Sequence, residues 1–210
     1  MSSYPVPKQI LDQGISLLLL VVLAPLFAIV LAAMGIDMLV SRRDRGRWLY
    51  RERRVSRGRE FDLLKFRTLR RDVLERVRSE ESHARLHEGD EANLTWAGRR
   101  VLKPWYLDEL PQLWNVLRGD MSLVGPRPWP PSMVASQVAK GLTYRNEFVA
   151  GWTGPAQVEK GVVESAGYTQ LDVAYMNACW MSSAWGIVRR DLVILRRTAL
   201  VMARGEGLRF

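Results

Sequence analysis

The sequence predicts a mainly helical α/β protein that meets a membrane near its N-terminal end. Three observations support this fold class. Residues 13–36 form an apolar stretch without a charged side chain. Residues 59–71 alternate with the two-residue period of a strand, whereas residues 108–119 and the C-terminal tail have the apolar spacing of amphipathic helices. The length of 210 residues and the hydrophobic content of 48% suffice for one domain with a core.

The charge balance limits the class of partner. Thirty-one Lys and Arg against 22 Asp and Glu give a formal net charge of +9, which favours nucleic acid, a phospholipid surface or a phosphorylated small molecule. Net charge alone does not choose among these three. The single cysteine, Cys179, excludes an internal disulfide framework and a Cys-based zinc site.

The apolar stretch is long enough to cross a bilayer, since a spanning helix needs about 20 apolar residues. Only Lys8 is basic before it, whereas nine arginines lie between Arg42 and Arg59. The positive-inside rule therefore predicts that the chain after the stretch is cytoplasmic. We expect these arginines to contact anionic phospholipid, and no specific nucleic acid, because few aromatic residues and no recognisable nucleic-acid module accompany them.

Pro25 lies in the middle of the apolar stretch. Proline removes a helix hydrogen bond and clashes with the preceding turn, so a kink is expected there. A kinked spanning helix and a re-entrant helix, whose two ends return to the same face, both fit this pattern. Charge counting leaves the two alternatives open.

The predicted strand presents two cations on one face. Lys65 and Arg67 are two residues apart and therefore point the same way. Such a pair suits a phosphate group, although a solvated strand face is the plain alternative. Residues 70–92 are dense in charge and are expected to form a solvated helix or lid that stops at Gly89.

Two adjacent carboxylates, Asp108 and Glu109, stand at the start of a predicted helix of about three turns. Asp108 suits the N-cap, Pro111 suits the first turn, and Gly119 suits the C-terminal stop. The apolar stripe of this helix would consist of Leu110, Leu113, Trp114 and Leu117. Capping explains Asp108 alone, but it explains neither the second carboxylate nor the loop that follows.

That loop has the sequence VGPRP at residues 124–128. The prolines on either side of Arg127 fix the backbone, so its guanidinium loses little entropy when it binds a phosphate. The C-terminal tail combines apolar side chains with Arg189, Arg190, Arg196 and Arg197 and has Trp180 and Trp185 near its start. It is suited to a membrane interface or to packing on the protein's own core.

These segments resemble the bacterial sugar transferase family, the monotopic phosphoglycosyl transferases that begin glycan assembly on polyprenyl phosphate. The resemblance covers nearly the whole chain, and the block around the two carboxylates is long and specific. It is carried by the lead-in from Lys8 to Asp12, the apolar stretch with its central proline, FDLLKFRTL at residues 61–69, LDELPQLWNVLRGDMSLVGPRP at residues 107–128, GWTGPAQV at residues 151–158, and Asp172 to Tyr175.

The resemblance implies that a UDP-sugar donates a sugar-1-phosphate to undecaprenyl phosphate and that UMP is released. It further implies that Asp108 forms a covalent phosphosugar intermediate in a ping-pong reaction and that Glu109 helps to hold a required Mg²⁺. The site lies at the cytoplasmic face of the bacterial inner membrane in this family. The cations expected at the substrate phosphates are Lys65, Arg67, Lys103 and Arg127.

The resemblance also favours the re-entrant alternative, with a helix broken at Ala24 and Pro25. The expected division is then a membrane segment, residues 1–42, and a catalytic domain, residues 43–210, with short strands and interfacial amphipathic helices. The sequence leaves open whether the protein acts as a monomer or a homodimer.

Several positions depart from the family pattern, and two of them bear on the predicted site and on the membrane segment. Lys103 stands where arginine is common, which keeps the charge but loses bidentate geometry. Ala24 stands where serine often precedes the membrane proline, so a hydroxyl that could satisfy a freed carbonyl is missing. A non-enzymatic basic adaptor at the membrane surface, in which Asp108 is only a helix cap, is the alternative function.

Overall fold

The computed structural model describes residues 4–79, 84–159 and 165–204. Within these residues it is mostly helical with four short strands, which confirms the mainly helical α/β class. The helices are α1 (Val6–Val22), α2 (Ala24–Val40), α3 (Arg71–Ser79), α4 (Ala84–His87), α5 (Gln112–Arg118), α6 (Pro131–Ala139), α7 (Pro155–Val158), α8 (Ser165–Trp180) and α9 (Ala184–Arg204). The strands are β1 (Leu49–Ser56), β2 (Arg59–Phe66), β3 (Ser122–Val124) and β4 (Gly151–Thr153).

The chain divides into two compact units. Unit 1 consists of Met1–Leu20, Glu52–Leu63 and Gln112–Phe210, and unit 2 of Val21–Arg51 and Leu64–Pro111. This division groups residues that lie close together in space. The expected division into residues 1–42 and 43–210 follows membrane insertion, and it stays a prediction.

The apolar stretch forms two helices that meet at Leu23. Pro25 occupies the first turn of α2, where its missing N–H removes no helix hydrogen bond, so the expected break is confirmed. No single described helix has the length and apolar composition to cross a membrane. Among the described helices, α1 and α2 together meet that measure, with a bend of 59° between them.

The surface of α1 in unit 1 is inverted relative to that of a soluble helix. Its polar side chains Lys8, Asp12 and Ser16 are at most 3% exposed. Its apolar side chains face outward, and more than half of each is exposed for Val6, Ile10, Leu17 and Leu18. A helix that buries ions and exposes aliphatic side chains is expected where lipid replaces water.

The buried ions of α1 are paired within unit 1. Lys8 Nζ lies 3.3 Å from Asp12 Oδ2 and forms a second ion pair with Asp191 of α9. Ser122 of β3 donates its hydroxyl to Asp12 Oδ2 at 2.6 Å. These bonds compensate the desolvation of the charges and fix α1 against α9 and β3.

The centre of unit 1 is the parallel pair of β3 and β4, in which Ser122 is opposite Gly151 and Val124 is opposite Thr153. Glycine is required here because a Cβ on Gly151 would lie 2.1 Å from the backbone nitrogen of Gly125. The hydrogen bond from Gly125 N to Thr153 O, at 2.9 Å, continues the pairing beyond β3. The VGPRP loop therefore starts from a rigid backbone.

The predicted helix at residues 108–119 is shorter than expected, because α5 starts only at Gln112. Asp108 is not its N-cap, and Trp114 is 50% exposed instead of buried. Asn115 is buried in its place, since its amide donates to Asp62 O at 2.9 Å and to Asp120 Oδ2 at 3.0 Å. The predicted end is confirmed by Gly119, which has a φ of 80°.

The C-terminal tail contains α9, which packs one face in unit 1 and exposes another. Ile187 and Val188 are buried, whereas Trp185 and Val193 are more than half exposed. The core-packing alternative is thus confirmed for one face. Interfacial binding of the other face stays a prediction.

Unit 2 has two hydrophobic clusters. The first joins the inward face of α2 to the segment that carries the two carboxylates, and its buried members are Val30, Met34, Phe66, Ala97, Leu102 and Leu110. The second packs α3 against α4 through Leu69, Val73, Val77 and Ala84. The charged segment 70–92 is therefore anchored by an apolar face where the structure describes it, rather than solvated all round.

Candidate active site

Asp108 is the most buried charged group of the candidate site in unit 2. It lies in a 3₁₀ turn, Leu107–Glu109, and is 2% exposed. Its Oδ2 accepts a hydrogen bond from Lys103 Nζ at 3.1 Å. Its Oδ1 is buried and has no hydrogen-bond partner among the described residues. A carboxylate oxygen in this state is costly unless a ligand or a reaction uses it.

The backbone around Asp108 is held on both sides. Leu102 is fully buried and Leu110 is 6% exposed, and both belong to the cluster that α2 helps to form. Between them, Tyr106 adopts a left-handed conformation with a φ of 53° and joins the turn Lys103–Trp105 to the turn Leu107–Glu109. This reversal brings Lys103 back to the carboxylate five residues later.

Lys103 bridges two carboxylates. Its Nζ lies 3.1 Å from Asp108 Oδ2 and 2.7 Å from Glu88 Oε2. Thr68 donates its hydroxyl to the other oxygen of Glu88 at 3.3 Å. Glu88 was not predicted from the sequence, because it lies in a segment of mixed charges whose spacing to Lys103 and Asp108 follows no motif.

Burial raises the pKa of Asp108 to about 6, with Lys103 opposing the shift and Glu109 adding to it. Lys65 also lowers this pKa, which places its ammonium within electrostatic reach of the carboxylate. Burial on its own lowers the pKa of Lys103, but Asp108 and Glu88 outweigh it and the net shift is upward. Lys103 is thus firmly protonated, and Asp108 is ionised at neutral pH while remaining basic for a carboxylate.

Glu88 shows the opposite shift to Asp108. Burial raises its pKa, yet Lys103 and Lys65 more than compensate and lower it below the ordinary value. The described neighbourhood therefore holds two ammonium groups, Lys65 and Lys103, against the three carboxylates of Glu88, Asp108 and Glu109. An anionic substrate entering this site needs further positive charge.

Arg67 is placed differently from the prediction. Its side chain is 3% exposed, and it follows the end of β2 rather than lying within the strand. Its guanidinium donates to the carbonyls of Arg47 and Leu69, each at 2.9 Å, and to that of Asp44. The described contacts give Arg67 a scaffolding role in unit 2.

We expect Arg67→Met to lower the free energy of unfolding by about 3 kcal/mol, because three carbonyls, two of them in buried hydrogen bonds, lose a charged donor. Arg71→Met is the matched control, since the Arg71 side chain is 68% exposed and pairs with Glu75 on the surface. Thermal unfolding in nanodiscs measures both variants. Unchanged stability together with a raised KM for the donor would instead restore Arg67 as a phosphate ligand.

Arg127 lies in unit 1, between the two prolines that follow β3. Its carbonyl accepts a hydrogen bond from Arg145, whose guanidinium stacks 4.1 Å from the Trp129 ring centroid. Arg145 also pairs with Asp172 at 3.1 Å and is 6% exposed. These contacts confirm a fixed backbone at Arg127, and its phosphate-binding role stays a prediction.

The described residues contain no group of three or more His, Cys, Asp and Glu side chains that could hold a metal ion. Glu109, which is adjacent to the buried Asp108 carboxylate, nevertheless supplies hard oxygen ligands. Mg²⁺ typically binds through one or two carboxylates and takes its other ligands from substrate phosphates and water. The donor set fits such a substrate-completed site.

A buried carboxylate whose Oδ1 has no hydrogen-bond partner among the described residues, set beside two lysines, is a candidate site for chemistry on a phosphorylated substrate. Comparison with known proteins agrees with this class. The chain belongs to the bacterial sugar transferase family, whose profile matches residues 3–205.

Three relatives illustrate the similarity. The UDP-N-acetylgalactosamine-undecaprenyl-phosphate N-acetylgalactosaminephosphotransferase of Aeromonas hydrophila is 31% identical over 95% of this chain and 45% of its own length. The UDP-glucose:undecaprenyl-phosphate glucose-1-phosphate transferase of Caulobacter vibrioides is 36% identical over 91% and 67%, respectively. The exopolysaccharide production protein ExoY of Sinorhizobium fredii is 38% identical over 96% and 88%. As with the Aeromonas protein, the chain spans less than half the length of two further relatives.

Proposed function

We propose that this protein is a phosphoglycosyl transferase that moves a sugar-1-phosphate from a UDP-sugar to undecaprenyl phosphate and releases UMP. Family membership supports the reaction class, and the names of the Aeromonas and Caulobacter relatives combine a UDP-sugar with undecaprenyl phosphate. The observation that carries the proposal is Asp108 itself. It is buried and ionisable, its Oδ2 is held by Lys103, and its Oδ1 has no partner among the described residues.

In the first half-reaction, a lone pair of Asp108 Oδ1 forms a bond to the phosphorus of the sugar-bearing phosphate. The bond from that phosphorus to the oxygen of UMP breaks, and UMP leaves with the electron pair. Lys103 fixes the other carboxylate oxygen and so limits rotation of the nucleophile. The raised pKa favours attack, because a more basic carboxylate is a better nucleophile once it is ionised.

In the second half-reaction, an oxygen of undecaprenyl phosphate attacks the same phosphorus and the Asp108 carboxylate leaves. The carboxylate is regenerated with its charge, and the lipid carries the sugar diphosphate. A covalent intermediate suits these substrates, because the donor is water-soluble and the acceptor lies in the membrane. Neither needs to occupy the site while the other reacts.

The proposed phosphate ligands are Lys65 and Lys103 in unit 2, with Arg127 in unit 1 as a further candidate. Lys65 and Lys103 both act electrostatically on Asp108, so a phosphoryl group bound to that carboxylate would remain near two ammonium groups. Arg67 is left out of this set, because its donors are engaged with backbone carbonyls.

Glu109 is the proposed protein ligand of Mg²⁺, with the substrate phosphates completing the coordination. When bound, the ion would neutralise phosphate charge that otherwise repels the Asp108 carboxylate. This supply of charge matches the local excess of carboxylates over ammonium groups. Glu109 also raises the pKa of its neighbour, so the two carboxylates are electrostatically coupled.

We propose a monotopic, re-entrant placement of α1 and α2 at the cytoplasmic face of the bacterial inner membrane. The support is the exposed aliphatic face of α1, the break before Pro25, and the arginines that follow α2. The exposed Trp185 side of α9 is proposed to contact the same leaflet. Anionic phospholipid is the expected surface for these basic segments.

The direct test is UMP release from a panel of UDP-sugars by the nanodisc-held protein with undecaprenyl phosphate and Mg²⁺. We expect release with at least one donor and none with chelator. A folded, membrane-bound protein that releases UMP from no donor would favour the membrane-surface adaptor.

Without acceptor, UMP is expected to be released in a single burst. The rate constant of this burst is expected to fall about tenfold per pH unit below pH 6 and to be constant above pH 7. The reason is that Asp108 must be ionised to attack, and burial raises its pKa to about 6. Omitting the acceptor removes titration of the lipid phosphate from the profile. An acid limb near pH 4, the ordinary range of an aspartate, would contradict the buried environment described here.

A further inference from the structure

Glu88 is an acidic residue of the site that has no place in the reaction described so far. It follows α4, and its side chain is 18% exposed. Oε2 lies 2.7 Å from Lys103 Nζ, and Oε1 accepts the hydroxyl hydrogen of Thr68 at 3.3 Å. Both oxygens are therefore engaged, and the carboxylate is oriented from two sides.

The bridge determines where the Lys103 ammonium lies. Its Nζ is 0.4 Å closer to Glu88 than to Asp108, as distances of 2.7 and 3.1 Å show. The stronger contact is thus with the carboxylate that does not react. Because Glu88 is itself fixed by Thr68, it holds Lys103 beside Asp108 Oδ2 and away from Oδ1.

The covalent step changes the charge around Lys103. Once Asp108 Oδ1 is bonded to phosphorus, the aspartyl group no longer carries a carboxylate charge, and the negative charge of the adduct lies on the phosphoryl oxygens beyond Oδ1. Lys103, whose side chain is 17% exposed, would then lose the charged carboxylate at Oδ2, and Glu88 would be the carboxylate that still holds its ammonium beside the adduct. A buried cation without a counter-ion is strongly unfavourable.

We infer that Glu88 is a positioning residue that keeps Lys103 in place and neutralised while Asp108 carries the phosphosugar. This inference rests on the proposed function, since it needs the covalent intermediate. Glu88 acts through Lys103 and is not expected to touch the donor. Its loss should therefore affect the rate of the covalent step more than donor binding.

The other charged groups around the bridge do not replace Glu88. Lys65 has the same sign as Lys103, and Glu109 is adjacent to the reacting carboxylate and is the proposed Mg²⁺ ligand. Glu88 is thus the carboxylate of this described group that keeps its charge and has no other proposed task during the reaction.

The test compares Glu88→Gln with Glu91→Gln in nanodiscs, with the UDP-sugar that supports UMP release. The control makes the same chemical change three residues away, on a side chain that is 75% exposed. For Glu88→Gln we expect kcat to fall roughly 10–100-fold and the donor KM to change less than about threefold. Glu91→Gln is expected to keep both constants.

A double-mutant cycle separates positioning through Lys103 from a general loss of structure. In the Lys103→Met background, adding Glu88→Gln should lower kcat by less than about threefold, because the partner through which Glu88 acts is already gone. If the factors by which the two single substitutions lower kcat multiply in the double variant, the inference is overturned. Such a result would mean that Glu88 stabilises the fold independently of Lys103.

The outcomes distinguish this inference from the proposed function. If the parent protein releases UMP, Asp108→Asn does not, and Glu88→Gln keeps kcat, the positioning role is wrong and the proposed function stands. If the parent protein releases UMP from no donor, both are overturned. Should Glu88→Gln not fold, Thr68→Val decides: a several-fold lower kcat at unchanged KM supports the role, and an unchanged kcat overturns it.

Discussion

Replacing Asp108 by asparagine is expected to abolish UMP release and at the same time to make the protein more stable at pH 8. The loss of activity should be at least ~10³-fold, because the amide is not a nucleophile and the proposed reaction has no other route. The gain in stability follows from burial. The ionised carboxylate is less stable in the folded protein than in the unfolded chain, because it is 2% exposed and its Oδ1 has no partner in the described structure.

The sign of the stability effect follows from the pKa of Asp108, which is raised from 3.8 to about 6. A carboxyl group whose pKa is higher in the folded state stabilises the fold at low pH, where it is protonated in both states. That contribution is fully present below about pH 4 and is lost as pH rises through 6. At pH 8 the ionised group therefore opposes folding, and asparagine should raise the free energy of unfolding by about 1–3 kcal/mol.

Thermal unfolding of the nanodisc-held protein between pH 4 and pH 8 measures this effect beside UMP release. Asp72→Asn is the control, since it removes the same charge from a side chain of α3 that is 58% exposed. We expect it to change neither activity nor the pH dependence of Tm. A loss of roughly 1 kcal/mol in Asp108→Asn with activity intact would show that Asp108 has only a structural role and would favour the adaptor.

Lys103→Met is expected to lower kcat roughly 10²-fold and also to destabilise the protein. Without the ammonium, Glu88 and Asp108 lose the cation that joins them, and both carboxylates remain in a desolvated place. The pKa of Asp108 would rise further, because Lys103 is the strongest influence that lowers it. Less of the nucleophile is then ionised at neutral pH.

Lys103→Arg is the informative companion, because arginine keeps the charge and is common at this position in the resemblance described above. We expect it to retain activity within about tenfold, since a guanidinium can bridge two carboxylates. Lys140→Met removes a lysine at the exposed C-terminal end of α6 and serves as the control. Equal activity of Lys103→Met and Lys140→Met would show that the ion pair with Asp108 has no role in the reaction.

The sequence was informative where a single feature decides local structure. Pro25 predicts the break between α1 and α2, and Gly119 predicts the end of α5. The block around Asp108 and Glu109 predicts the family, which the profile match confirms. Each of these signals lies within a few residues of its effect.

The sequence was less informative where a distant contact decides which side chain is buried. The period-two rule placed Arg67 beside Lys65, but three backbone carbonyls of unit 2 bind its guanidinium after the strand has ended. Helical spacing predicted that Trp114 is buried. Asn115 is buried instead, with hydrogen bonds to Asp62 and Asp120. Local periodicity contains no information about these partners.

Glu88 shows the same limit at the candidate site. Its importance follows from two distances that span 15 and 20 residues of sequence, to Lys103 and to Thr68. Residues 70–92 contain many charged side chains of both signs, and nothing in their order distinguishes this one. Only the folded arrangement of unit 2 shows which carboxylate Lys103 binds besides Asp108.

In the proposed reaction, Asp108 becomes covalently bonded to the phosphosugar. The most direct measurement is intact-protein and peptide mass spectrometry after brief incubation with Mg²⁺ and a UDP-sugar that supports UMP release, without acceptor. We expect a mass increase of one sugar phosphate per chain on the peptide that contains Asp108, absent in Asp108→Asn and lost when undecaprenyl phosphate is added. Full UMP release with acceptor but no adduct under quenched, acceptor-free conditions would contradict this expectation and would assign the reaction to direct displacement.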